Sequence, residues 1–127
     1  MKHTILIVED DAFLASIYAQ KLEHAGFDVS FATNGDDGLK LARKDMPELI
    51  LLDLRLQSDT LDGFQLLETL KADAALKKIH VLVLTNLGQK DDVTRCLALG
   101  ATGYLIKAHT LPQEAVKKIS EILHAHV

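Results

Sequence analysis

Short aliphatic runs and longer helical patterns alternate from one end of the chain to the other. The runs are TILIV at Thr4–Val8, DVSFA at Asp28–Ala32, LILL at Leu49–Leu52, HVLVL at His80–Leu84 and GYLI at Gly103–Ile106. Four of them lack polar alternation, the pattern of parallel strands covered on both faces; DVSFA is mixed and reads as an edge. Helical spacing covers residues 12–25, 35–46, 63–75, 88–99 and 111–126. The first stretch puts Leu14, Ile17, Tyr18, Leu22 and Ala25 on one face and stops at Gly26; the second starts after the Asn34–Gly35 turn and stops before Pro47. The last has Thr110 as candidate N-cap and Pro112 in its first turn.

Strand followed by helix, five times over, implies a parallel sheet with helices on both faces, because parallel strands need right-handed crossovers. The expected fold is α/β: a five-stranded parallel sheet in the flavodoxin-like order 2-1-3-4-5, with its switch point between strands 1 and 3. At 127 residues the chain makes one domain, 1–127, with no repeat, linker or low-complexity segment.

Composition narrows the function classes. Apolar residues make up 48% and charged residues 25%, ordinary for a soluble globular protein. A net charge of −4 without a Lys/Arg cluster argues mildly against nucleic acid as a direct partner. Apolar runs of four or five residues are far too short to span a membrane, and no cleavable targeting segment precedes the first of them. Cys96 is the only cysteine, so the chain has no internal disulfide, which fits a reducing compartment. The reading is a soluble cytoplasmic domain.

The polar residues that end the strands carry the chemistry. The first run ends in Glu9, Asp10 and Asp11, the third in Asp53, the fourth in Thr85 and the fifth in Lys107. In an open α/β sheet the carboxyl edge is where ligands bind, and strands 1 and 3 flank the crevice. Glu9 or Asp10 should therefore converge with Asp53. Carboxylates about 4 Å apart repel by a few kcal/mol at an effective dielectric near 20 and raise each other's pKa. Lys107 supplies one compensating charge, and a hard divalent cation suits oxygen-only ligands with waters completing the shell. The expectation is Mg²⁺ held directly by Asp10 and Asp53, with Glu9 acting through water. Beside them the Thr85 hydroxyl and Lys107 ammonium can meet phosphoryl oxygens, so Asp53 reads as a phosphate acceptor forming an acyl phosphate.

In order and spacing these residues resemble the receiver domain of two-component response regulators. The likeness runs through ILIVEDD, TNGDDGLKLA, MPELILLDL, LDGFQLL, HVLVLT and GATGYLIK, essentially the whole chain. It implies that Asp53 takes a phosphoryl group from a phosphohistidine of a sensor histidine kinase or phosphotransfer protein. It implies the Arg55 backbone carbonyl as a further Mg²⁺ ligand, and Tyr104 as the aromatic that turns inward when Thr85 closes on the phosphoryl group. Output to a downstream protein effector, or a homodimer, would use the face of the fourth helix, fifth strand and fifth helix. Such a domain is no enzyme; it catalyses only its own phosphorylation and dephosphorylation.

The sequence also departs from that family. LRLQSDTL, between Asp53 and the Asp62–Gly63 turn, is two residues longer than usual and lacks the customary proline, so a longer and less rigid loop is expected. Ala108 replaces a proline after Lys107; a non-proline cis bond costs about 3 kcal/mol, so a trans bond and a shifted loop are expected. Leu87, two beyond Thr85, offers no partner to an attacking water, which points to slow self-dephosphorylation. Arg55, two beyond Asp53, would shield the phosphate or reach out to solvent.

Blander roles compete for some of these groups. Asp11 reads as a helix cap, Cys96 as core, and Asp36, Asp37 and Asp45 as solvated helix charges. The six histidines show no metal spacing, though His109 lies close to Lys107. Two other functions remain in view. A haloacid-dehalogenase-like phosphatase also phosphorylates a strand-end aspartate, but it has a second aspartate where this chain has Arg55. A receiver-fold adaptor that ignores phosphorylation typically loses part of the cluster, and here every member is present.

Overall fold

The computed structural model of the chain describes residues 3–56, 61–86 and 90–124, apart from the side chains of Lys90 and Ala108. Strands β1 (Thr4–Val8), β2 (Asp28–Ala32), β3 (Leu49–Asp53), β4 (His80–Thr85) and β5 (Gly103–Ile106) alternate with helices α1 (Ala12–His24), α2 (Gly35–Asp45), α3 (Gly63–Ala72), α4 (Lys90–Ala98) and α5 (Pro112–Leu123). All pairings are parallel, and the sheet order is β2-β1-β3-β4-β5. The mixed run DVSFA is an edge strand, as its polarity predicts.

Successive strand residues point to opposite faces, and so the sheet separates two cores. Leu6, Val8, Ile50, Leu52, Val81 and Val83 pack on one face against Leu66, Leu67 and Leu70 of α3 and Cys96 of α4. Ile5, Ile7, Leu49, Leu51, Leu82 and Leu84 pack on the other against Tyr18 and Leu22 of α1 and Ala115 and Ile119 of α5. The continuous aliphatic runs are thus explained: both faces of β1, β3 and β4 are covered.

Several boundaries differ from the sequence reading. α3 ends at Ala72 instead of residue 75, because the Asp73 carboxylate accepts from the Ala75 and Leu76 amides at 2.8 and 3.3 Å and turns the chain. α5 starts one residue later than expected, and Thr110 is not its N-cap. Its hydroxyl instead donates to the Ile106 carbonyl at 2.8 Å across a 3₁₀ turn at Lys107–His109, and Leu111 takes the cap position. β3 and β4 each run one residue further, through Asp53 and Thr85.

The Lys107–Ala108 peptide is trans, since no peptide bond among the described residues is cis. Leu54 and Leu56 are buried in the α3 side of the core, so the start of the long loop is anchored by aliphatic contacts. The loop residues 57–60, on which the flexibility expectation falls, lie outside the described residues. At the far end of the loop Gly63 lets α3 meet the sheet directly. A Cβ there would collide with the Asp53 carbonyl oxygen and the Leu54 Cα. No helix among the described residues is long and apolar enough to cross a membrane.

Candidate functional site

Parallel register brings the strand-end residues abreast. Val8 pairs with Leu52, Asp53 with Leu84 and Thr85 with Ile106, so Glu9, Asp53, Thr85 and Lys107 line one edge of the sheet. Glu9, Asp53 and Thr85 are all buried, at 1–2% exposure. Buried charges need partners, and Lys107 provides one for both acids. Its ammonium donates to Glu9 Oε1 and to Asp53 Oδ2, each at 3.0 Å. The other Asp53 oxygen, Oδ1, accepts from the Arg55 amide at 3.1 Å. Glu9 Oε1 also accepts from the Asp11 amide at 3.4 Å.

The cluster is short of positive charge, since one ammonium serves two buried carboxylates. Glu9 shows the deficit: its Oε2 lies 2.9 Å from the Lys107 nitrogen, yet has no hydrogen-bond partner. Burial pushes the Glu9 carboxyl up to about 7; the Lys107 hydrogen bond opposes the rise, and the charge of Asp53 adds to it. For Lys107, burial alone pulls the ammonium down. Hydrogen bonds to both acids, with their attraction, more than reverse this and hold it above the ordinary lysine value.

One carboxylate oxygen each from Glu9, Asp10 and Asp53 lies within 4.8 Å of the others. An all-oxygen donor set with an unsatisfied buried lone pair and excess negative charge fits a hard divalent cation. These three acids are where the chain could hold such an ion.

The remaining predicted residues fall around this centre. Asp11 caps α1, accepting from the Leu14 amide at 3.1 Å, as expected. The buried Thr85 hydroxyl donates to the Asn86 carbonyl at 3.2 Å. Tyr104, in register with Val83 on β5, is 40% exposed. Cys96 is core. His109 is exposed, and among the described residues no histidine joins a group of three metal-ligating side chains. Leu87 and the dephosphorylation expectation resting on it lie outside the described residues.

Arg55 fits the solvent reading better than the shielding one: its exposed side chain turns to α4, where the guanidinium donates to Asp92 Oδ2 at 2.6 Å. Asp92 is a residue that sequence reasoning passed over. It reads as an ordinary first-turn helix acid, and nothing in its spacing links it to Arg55, 37 positions away. By its spacing Tyr18 reads only as core. It is buried on α1 near enough to feel Lys107 and Glu9; burial raises its hydroxyl pKa, Lys107 lowers it and Glu9 raises it.

The family model for the response regulator receiver domain matches residues 5–120. The DNA-binding dual master transcriptional regulator RpaA of Synechocystis is 37% identical over 119 residues, covering 94% of this chain and 48% of its own length. The phosphate regulon transcriptional regulatory protein PhoB of Klebsiella pneumoniae is 33% identical over 123 residues, 97% of this chain and 52% of its own length. The crystal structure of a CheY-like receiver domain protein from Methanospirillum hungatei superposes with a TM-score of 0.88 at 27% identity, covering 98% of this chain and 95% of that one. The chain spans about half the length of the curated relatives it matches. Those relatives are transcriptional regulators by name, not enzymes. One is DNA-binding, so the charge argument against nucleic acid bears on these 127 residues alone.

Proposed function

The chain belongs to the response regulator receiver family, and from that premise we propose that Asp53 accepts the phosphoryl group. The donor is a phosphohistidine of a sensor histidine kinase or phosphotransfer protein. The observation that carries this reading is the buried Asp53 carboxylate held at 3.0 Å by Lys107 beside the charge-deficient Glu9. Asp10 and Asp53, with Glu9 through water and the Arg55 carbonyl, would hold Mg²⁺, and the ion would supply positive charge for the phosphoryl oxygens.

An Asp53 carboxylate oxygen attacks phosphorus; the bond from phosphorus to the donor nitrogen breaks, and its electron pair leaves with the imidazole. Lys107, already on the carboxylate, moves its hydrogen bond to a phosphoryl oxygen. Water attack on the acyl phosphate later restores the carboxylate. Only the chain itself is modified, so no substrate is turned over.

The Thr85 hydroxyl exchanges the weak acceptor Asn86 for a phosphoryl oxygen, and Tyr104 turns from its half-exposed position towards the space Thr85 vacates. Signal leaves through the face of α4, β5 and α5 to a downstream protein effector or a second copy of the chain. A cytoplasmic location accords with a kinase partner. Incubation with Mg²⁺ and a small phosphodonor tests the reading by mass. One phosphoryl group should be gained by the wild type and none by Asp53→Asn; equal gain in both overturns it.

A further inference from the structure

We infer that Asp92 is a positioning residue that holds the Arg55 side chain on α4, and that phosphorylation of Asp53 draws the guanidinium off Asp92 onto the phosphoryl group, freeing the first turn of α4. The inference rests on the phosphoacceptor reading of Asp53.

One residue touches both ends of this route. The Arg55 amide donates to Asp53 Oδ1 at 3.1 Å, so its side chain starts beside the reacting carboxylate, while its guanidinium sits 2.6 Å from Asp92 Oδ2. Charge decides when it moves. With Mg²⁺ bound, three carboxylates are matched by the ion and the Lys107 ammonium. Phosphorylation replaces the single charge of Asp53 with a phosphate carrying nearly two, and leaves the site short of one positive charge. Arg55, whose backbone already touches Asp53, carries a cation that is not bound to the acidic cluster. Its planar fork matches phosphate oxygens well, better than one oxygen of an aspartate.

The contact it gives up is weak. Arg55 is 58% and Asp92 22% exposed, a setting in which water screens an ion pair. The rest of α4 has other anchors. The Arg95 guanidinium lies 4.1 Å from the centre of the Phe64 ring and 3.6 Å from Glu68, and Cys96 is buried in the core. Loss of the Arg55 contact therefore frees the first turn and leaves the remainder docked. Asp92 still suits the positive end of the helix, so the turn loosens without unwinding. This link from site to output face runs independently of Thr85 and Tyr104.

The test uses the whole chain with acetyl phosphate and Mg²⁺, following phosphoryl mass over time and amide hydrogen exchange across residues 91–95. Asp92→Asn should lengthen the phosphoryl half-life about two- to five-fold, the range an exposed ion pair allows. It should also give the unphosphorylated protein the fast exchange in α4 that the wild type shows only when phosphorylated. Asp92→Glu should restore wild-type behaviour, and in an Arg55→Gln background Asp92→Asn should change nothing. Wild-type half-life and exchange in Asp92→Asn, or an effect that persists without Arg55, overturns the inference alone. If the wild type gains no phosphoryl mass, the phosphoacceptor reading has failed and this inference falls with it.

Discussion

Lys107 and Lys71 both carry an ammonium group into the protein, at opposite edges of the same sheet. Lys107, at the carboxyl edge, meets the carboxylates of Glu9 and Asp53. Lys71, at the amino edge, meets the carbonyls of Lys77 and Ile79 at 3.1 and 2.8 Å, just before β4 begins. Its stem lies against Gly100, where an added Cβ would approach Lys71 Cγ to 3.2 Å. Carbonyl dipoles do not offset desolvation, so burial lowers the Lys71 pKa, whereas the paired charges raise that of Lys107. The carbonyl set is satisfied as it stands and ties a loop. The carboxylate set carries surplus negative charge and invites a ligand.

Removing each ammonium should separate the two roles. Lys107→Met leaves two buried carboxylates facing each other. Without Mg²⁺ near pH 8 it should lose about 3 kcal/mol in urea unfolding, the lower end of the range for breaking a buried pair because Lys107 keeps some solvent contact. Added Mg²⁺ should recover most of that loss. Phosphorylation by a small donor should fall at least about 100-fold, the scale of losing one electrostatic contact to the transferring group.

Glu9, beside Lys107, gives the next largest effect. Glu9 stands at about 7 in the folded chain against 4.5 unfolded, so its protonated form is favoured by folding. That stabilisation is complete below 4.5 and is lost as pH rises through 7. The wild type without Mg²⁺ should therefore weaken relative to Glu9→Gln between these values. Mg²⁺, which favours the ionised carboxylate, should flatten the difference.

At alkaline pH the two lysines should behave with opposite sign. Below 10.5 the Lys107 contribution is complete, and it is lost as pH climbs past its raised folded pKa. Lys71 has a lowered pKa, so between that value and 10.5 the unfolded chain binds the extra proton; there the stability of the wild type relative to Lys71→Met should rise with pH. Denaturant titrations of the wild type and both variants between about pH 9 and 11 decide it. The smallest effect is Lys71→Met near neutrality. It should cost about 1 kcal/mol, since two charged hydrogen bonds are lost while a desolvation penalty is relieved. It should be insensitive to Mg²⁺ and leave phosphorylation unchanged.

Much of this architecture is legible along the chain. The runs ending in Val8, Ala32 and Ile106 coincide with β1, β2 and β5, and the mixed DVSFA stands at the edge. The acids, threonine and lysine that close the strands could be read as one site because a parallel sheet delivers every strand's carboxyl end to the same edge. Thr110 misled because side-chain capping was inferred from spacing alone; the 3₁₀ turn after Lys107 engages its hydroxyl elsewhere.

The sequence by itself determined the order of elements, the two covered faces of the sheet and the roster of charged residues at its carboxyl edge. Hydrophobic period and strand-end chemistry are local properties, written residue by residue. Tertiary structure decided how those charges are shared: one ammonium between Glu9 and Asp53, an oxygen of Glu9 left without a hydrogen bond, and Arg55 turned to Asp92. Burial and long-range pairing belong to no single segment. They exist only once strands and helices distant in sequence are packed together.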